Sequence, residues 1–496
     1  MLIVTKKNNH LRKKSVCYYN AIIKTQDNLA MNITKINTWV MVNNWNILDR
    51  YDSSEFLDKM EHAGVKHVAF GGRLPIKPSS QNYENSLAKR EHPSREIFSL
   101  KNKVKKLFSH LKDRGMKIYL YGTNPRSSEM QLNSMTQKHY LDIDLAIKPS
   151  EGYWAICSNT PEFIPYYLAS IQDAIENFPE VSGFLNDGPE FGYEIKPDFM
   201  GNMNNLFTCF GSCCEKKAKE LGYDFNSLKQ TAIQLRRKLM SLEERSLNNL
   251  FDQEIEGLEF LSLAIKEPKI KEWFNFKRDS VTEYIKALNQ GIKTIDNSLE
   301  LGVGSRLPAF APLTGYDLQN LNQHADFFLP KLYFWMGGYD GLYGTVYRWA
   351  KTLKDWNPNL SEKIILQFLY KLFGFTLPNT NSFKNMEKHI DPLFLNNNEN
   401  TWLGETFPKE FFTNVVTSEV EKMLQQVGNS KHVRPWFNPV HGGRSLTPQE
   451  LDLTLEAAKK AGLKTYLYYC SLGSNKFTAT DGEWEVALKH SNKPEK

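Results

Sequence analysis

The 496-residue sequence lacks any apolar run near the roughly 18 residues of a membrane-spanning helix, and its first residues carry no apolar signal-peptide core. A soluble, cytoplasmic protein with no membrane contact is therefore the expectation. Charge of one sign is also missing: 62 basic against 56 acidic residues give a net charge of only +6, and no long basic run occurs beyond the first fifteen positions. That excludes the electrostatic footprint of a nucleic-acid partner. Six cysteines in so long a chain cannot form a disulfide scaffold. No nucleotide cofactor has an anchor, because Gly302-Val-Gly304 has neither a third glycine nor the Lys-Ser/Thr of a phosphate loop. Internal repeats and low-complexity tracts are likewise absent.

What is present is an ordinary globular composition, 41% hydrophobic and 24% charged, with 12% aromatic residues including ten Trp. Short apolar strands alternate with amphipathic helices about eight times, the pattern of βαβ units around a parallel sheet. The expected strands are 36–42, 66–72, 117–121, 181–185, 301–307, 327–334, 432–439 and 464–469. Helices are expected over 53–63, 96–114, 161–178 (with Thr160 as cap), 273–297 and 447–461. The fold class is thus α/β, a (β/α)8 TIM barrel over residues 31–475, with helical insertions over about 196–271 after strand four and 357–429 between strands six and seven. Ile364–Tyr370 inside the second insertion reads equally as strand or buried helix. Residues 1–30 read as a disordered extension and 476–496 as a C-terminal helix and tail.

A barrel of this kind places its chemistry at the C-terminal ends of its strands. Those ends carry amide, hydroxyl and aromatic side chains: Trp39 and Asn44 on strand one, Asn124 after strand three, and Arg306 on strand five. Lys331, Tyr333 and Trp335 belong to strand six, and Trp436, Asn438 and His441 to strand seven. Carboxylates reach the rim directly only in Asn186-Asp187-Gly-Pro-Glu190. Glycosidic bond hydrolysis usually needs two carboxyl groups, one as acid and one as nucleophile or base. Asp187 and Glu190, in a loop that Gly188 and Pro189 tighten, are the candidates, and Lys331 is a candidate partner for either. Against this, an acidic residue beside Gly-Pro is commonly a turn brace or a solvated group, and Asp340 in Asp-Gly reads as a turn before it reads as a second acid. Cys17, Cys157 and Cys470 read as isolated packing residues. Cys209, Cys213 and Cys214 cluster without a His at ligand spacing, so no metal is expected.

Trp154-Ala-Ile-Cys-Ser-Asn-Thr-Pro161 and Pro179-Glu-Val-Ser-Gly-Phe-Leu-Asn-Asp-Gly-Pro-Glu190 resemble segments of glycoside-hydrolase-like (β/α)8 barrels. Ala325–Trp335 and Val433–Pro439 are similar to strand ends of such barrels, and Asp187-Gly-Pro is similar to the strand-four carboxylate of alpha-L-fucosidases. Cys209-Phe-Gly-Ser-Cys-Cys214 looks like a cysteine element of some beta-galactosidase-like barrels, with Gly211 in place of its middle cysteine. The resemblance covers most of 31–475 and implies a carbohydrate-active enzyme with a carbohydrate as its partner. Strand seven departs from it, offering Trp436 and Asn438 where retaining barrels carry a second acid. The expectation is a hydrolase of O-glycosidic bonds with Asp187 as nucleophile or base and Glu190 as acid. Alternatives are a carbohydrate-binding barrel without catalysis, or a lyase using Lys331 or Tyr333 as base.

Overall fold

A computed structural model describes residues 36–42, 54–71, 74–79, 81–83, 95–122, 157–187, 189–192, 203–333, 341–389, 407–437, 447–469 and 481–491. Eight parallel strands stand in the order β6-β5-β4-β3-β2-β1-β8-β7. They are β1 Asn37–Val42, β2 His67–Phe70, β3 Lys117–Gly122, β4 Val181–Asp187, β5 Glu300–Gly304, β6 Phe327–Phe328, β7 Trp436–Phe437 and β8 Thr465–Tyr469. Parallel bridges Phe328 to Val433 and Lys331 to Trp436 join β6 to β7 and close the sheet into a (β/α)8 barrel. β6 and β7 are shorter than their apolar runs because Pro330 and Pro435 interrupt both. Their carbonyls still accept from Trp436 N (2.8 Å) and Leu467 N (3.0 Å), but they have no N–H to return.

The outer layer comprises α1 Ser54–His62, α2 Lys101–Asp113, α3 Phe163–Asn177, α4 Ile270–Ile295, α5 Leu342–Trp356, α6 Thr417–Val427, α7 Pro448–Lys460 and α8 Asp481–His490. α7 starts with a reciprocal capping box, Thr447 with Glu450. Thr160 does not cap α3: the helix starts after Glu162, with no side-chain cap, and Thr160 instead offers its carbonyl to Phe163 N at 3.1 Å. Ile364–Tyr370 resolves as helix, within Glu362–Phe373, whose amphipathic run is capped by Ser361 and ended by left-handed Gly374.

Between β4 and α4 lie the helices Ser212–Glu220, Phe225–Leu239, Glu244–Phe251 and Gly257–Ala264. Asn357 at the end of α5 ties this segment down, donating to Leu239 O at 2.8 Å and accepting from Leu242 N at 2.9 Å. Cys157 is not isolated, since its Sγ lies 3.2 Å from that of Cys214, 57 residues on. Residues 1–30 lie outside the described residues, as do Cys17, Asp340 and Cys470.

Successive residues of a strand face opposite sides, so β4 sends Gly183, Leu185 and Asp187 toward the barrel axis. Glycines make room for large inward side chains: a Cβ on Gly302 would lie 2.3 Å from the Phe327 ring, and one on Gly304 would lie 2.8 Å from Asp187 Oδ1.

Candidate active site

Asp187 is the last residue of β4 and not part of the loop, so the strand itself fixes its direction. Its Oδ1 lies 3.0 Å from Lys331 Nζ, with side-chain exposures of 13% and 4% respectively. The Tyr121 hydroxyl, from the neighbouring strand, donates to the other oxygen. Three residues on, Glu190 is buried and held by Arg306, which donates from Nε at 3.0 Å and again from Nη2 to the same Oε1. Just after Glu190, Phe191 N donates to Thr314 O at 3.0 Å. The Tyr316 hydroxyl donates to Gly304 O at 2.8 Å and adjoins Glu190.

Burial acts on both acids and the neighbours separate them. For Asp187, burial is the largest single influence and pushes the pKa up. The Lys331 and Arg306 cations and the Tyr121 hydroxyl together outweigh it and hold the carboxyl below its ordinary range. For Glu190, burial outweighs Arg306 and Lys331, with Asp187 adding repulsion, and the carboxyl rises above its ordinary range. Burial, then Arg306, pushes the Lys331 ammonium down. Two largely buried carboxyl groups three residues apart thus shift in opposite directions, Asp187 down beside Lys331 and Arg306 and Glu190 up through burial.

Aromatic side chains stand beside the acids. Trp436 meets Tyr121 edge-on at 5.5 Å and Tyr333 at 6.4 Å between ring centres, and the bridge to Lys331 places it next to the Asp187 ion pair. The structure therefore brings together Asp187, Glu190, Arg306, Lys331, Tyr333 and Trp436. It does not bring in Trp39, which is fully buried at the N-terminal end of the barrel, stacked on His67 at 4.0 Å. Nor does it bring in Asn186, which alternation turns outward to the Tyr284 hydroxyl of α4 (3.5 Å) and to Tyr167 of α3. Asn44, Asn124, Trp335, Asn438 and His441 lie outside the described residues. Tyr121 and Tyr316 were not among the expected site residues. The signal for Tyr121 was available: it lies two residues beyond inward-facing Tyr119 on β3 and so shares its face.

No family model matches the sequence, and no curated protein matches it. Among solved structures, the chain is similar to the polyextremophilic beta-galactosidase of the Antarctic haloarchaeon Halorubrum lacusprofundi, at 13% identity and a TM-score of 0.45, over 91% of this chain and 57% of that one. A beta-galactosidase of the psychrophilic Marinomonas ef1 gives 12% identity and 0.46, over 91% and 58%. The Bacillus cereus spore cortex-lytic enzyme SleL gives 8% identity and 0.37, over 92% and 75%. The chain spans less than two thirds of the two beta-galactosidase chains.

Proposed function

We propose that the protein hydrolyses O-glycosidic bonds, with Asp187 as nucleophile or base and Glu190 as general acid. The observation that carries this is two largely buried carboxyl groups three residues apart at the end of β4, one beside Lys331 at 3.0 Å and the other accepting from Arg306 at 3.0 Å. An oxocarbenium-like transition state needs an anion beneath the sugar ring and a proton for the leaving oxygen, and these two groups supply one each. Arg306 orients Glu190, while Lys331 and Tyr121 orient Asp187. Trp436 and Tyr333, buried beside the acids, form the aromatic wall of the site. The test is a panel of aryl glycosides and oligosaccharides offered to the wild type, Asp187→Asn and Glu190→Gln. Turnover lost in both variants is expected; a wild type without turnover on any member sinks the proposal.

One observation favours a second reading. Glu190 is 1% exposed and already engaged by Arg306, as an acid in a purely binding barrel would be. Sugar binding by a wild type that never turns over would establish it.

A further inference from the structure

The two insertions leave a polar track between them. On one side lies the helix Glu244–Phe251 with the segment on to Glu256, and on the other the helix Glu362–Phe373 with the turn from Thr376 to Asn381. A cavity of about 620 Å³ runs beside Phe251, Gln367 and Tyr370. A second, of about 420 Å³, adjoins it and shares Phe251, Lys363 and Gln367. Both fall in the size range of small-molecule sites. A third, of about 230 Å³, shares Glu256 with the first and reaches Pro308 and Leu313. Pro308 follows Arg306 closely in the chain, and Thr314, next to Leu313, accepts from Phe191 N just after Glu190. The track thus leads from the first insertion to the β5 loop that carries the partner of Glu190. Its walls are joined: Lys371 Nζ donates to Gln253 O at 2.6 Å from one insertion to the other, and the Tyr370 hydroxyl donates to Thr380 O at 3.1 Å and pins the turn. Phe373 meets Phe310 edge-on at 4.9 Å, which seats the helix on the same β5 loop.

We propose that this track binds a neutral oligosaccharide chain, so that the protein engages polymeric glycans and not only single glycosides. Charge is the first ground. The lining acids Glu244, Asp252 and Glu256 are matched by Lys363, Lys371 and Lys422, which gives neither an anion nor a cation an advantage. Backbone is the second: helices and a turn line the track, with no strand edge to pair with an extended peptide. Unused polar groups are the third. Among the described residues the side chains of Lys363, Gln367 and Asn379 have no hydrogen-bond or ion-pair partner, and they line the cavity together with the partly buried rings of Phe251 and Tyr370. A ligand whose hydroxyls both donate and accept, carried on an uncharged apolar frame, matches amides, an ammonium and rings at once. Cleavage of the bound chain at Asp187 and Glu190 rests on the hydrolase reading above; its binding does not. Where both hold, contacts in the track act on the reacting centre and kcat/KM rises with chain length.

Binding is tested apart from turnover. The full-length Asp187→Asn variant is titrated calorimetrically with disaccharides and hexasaccharides of the cello, xylo, galacto and N-acetylchito series, and with an oligogalacturonate hexasaccharide as the acidic counterpart. A neutral hexasaccharide should bind about tenfold or more tightly than the disaccharide of its series. Gln367→Trp in the same background fills the cavity from the helix and should weaken that hexasaccharide by about tenfold, with the circular dichroism spectrum unchanged. Should that variant fail to fold, Thr376→Trp obstructs the same cavity from the turn. No binding of any neutral hexasaccharide, no dependence on length, or undiminished binding in the folded tryptophan variant overturns the proposal. Tighter binding of the oligogalacturonate than of every neutral series overturns the assignment of an uncharged chain. The two readings fail separately. A wild type that turns over aryl glycosides but binds no hexasaccharide keeps the hydrolase and loses the track; one that turns over nothing yet binds a hexasaccharide through Gln367 does the reverse.

Discussion

The two ends of the barrel interior are filled by opposite kinds of chemistry. At the N-terminal end, Trp39 stacks on His67 and packs against Tyr119 and Phe327 at 4.7 and 5.2 Å, while the Arg434 guanidinium lies 3.7 Å from the Phe327 ring and 4.3 Å from that of Trp39. Apart from Arg434, the charged groups there form part-exposed pairs, Glu300 with Lys117 at 3.2 Å and the Tyr119 hydroxyl, and Asp326 with Lys293 at 3.0 Å. At the C-terminal end, two acids and two bases are buried together. Aromatic area removed from water stabilises a fold, whereas buried ion pairs rarely exceed what apolar residues of the same shape would give. One end is therefore built for stability, and the other keeps charge that the fold alone does not need.

That contrast can be broken by substitutions that exchange the two consequences. The largest expected effect is on turnover: Asp187→Asn should lower kcat by about 10²–10⁴-fold with the circular dichroism spectrum unchanged. At the other end, Trp39→Ala should lower unfolding free energy by about 3–5 kcal/mol, measured by denaturant titration, with kcat per folded molecule preserved. If Trp39→Ala instead abolishes turnover in folded protein, the separation of the two ends is wrong.

Finer changes sharpen the comparison. Gly304→Ala puts a methyl carbon 2.8 Å from Asp187 Oδ1 and must shift that carboxylate. A loss of up to about a hundredfold in kcat with little change in Tm is expected, as for a small misplacement of a reacting group. Replacing Glu190 with Leu and Arg306 with Met together removes a buried pair whose members are 1% and 0% exposed. Stability should stay level or rise by about 1–4 kcal/mol while turnover is lost; a large destabilisation would mean that the pair serves the fold.

How much of this was legible in the sequence follows from the range of each interaction. Strand and helix periods are local, so the eightfold alternation could be read directly, as could the acidic end of β4. Lys331 was legible as a partner because a lysine at an enclosed strand end needs an anion. Depth along the barrel axis was not legible. Trp39 lies in the first half of β1, paired with the first residue of β2, and that register sinks it below the rim. Asn186 was misplaced because β4 continues two residues past its apolar run, and alternation then sends Asn186 outward and Asp187 inward. The Cys157–Cys214 contact spans 57 residues and depends on where the insertion docks, which no spacing rule carries.

The smallest effect concerns acid. His67 stacks on Trp39, and burial, followed by the nearby Arg434 and Lys117 cations, lowers its pKa from 6.5 to about 3. A group whose pKa is depressed on folding is protonated more readily in the unfolded chain. Its contribution is therefore complete above 6.5 and is lost as pH falls toward 3. Denaturant titrations of the wild type should show a loss of roughly 1 kcal/mol attributable to His67 on going from pH 7.5 to 5.5. His67→Phe retains a stacking ring and removes the titration, so its slope over this window should be flatter by that amount. An unchanged slope would mean that the ring is hydrated in the folded state, and the N-terminal end would then be wetter than its packing requires.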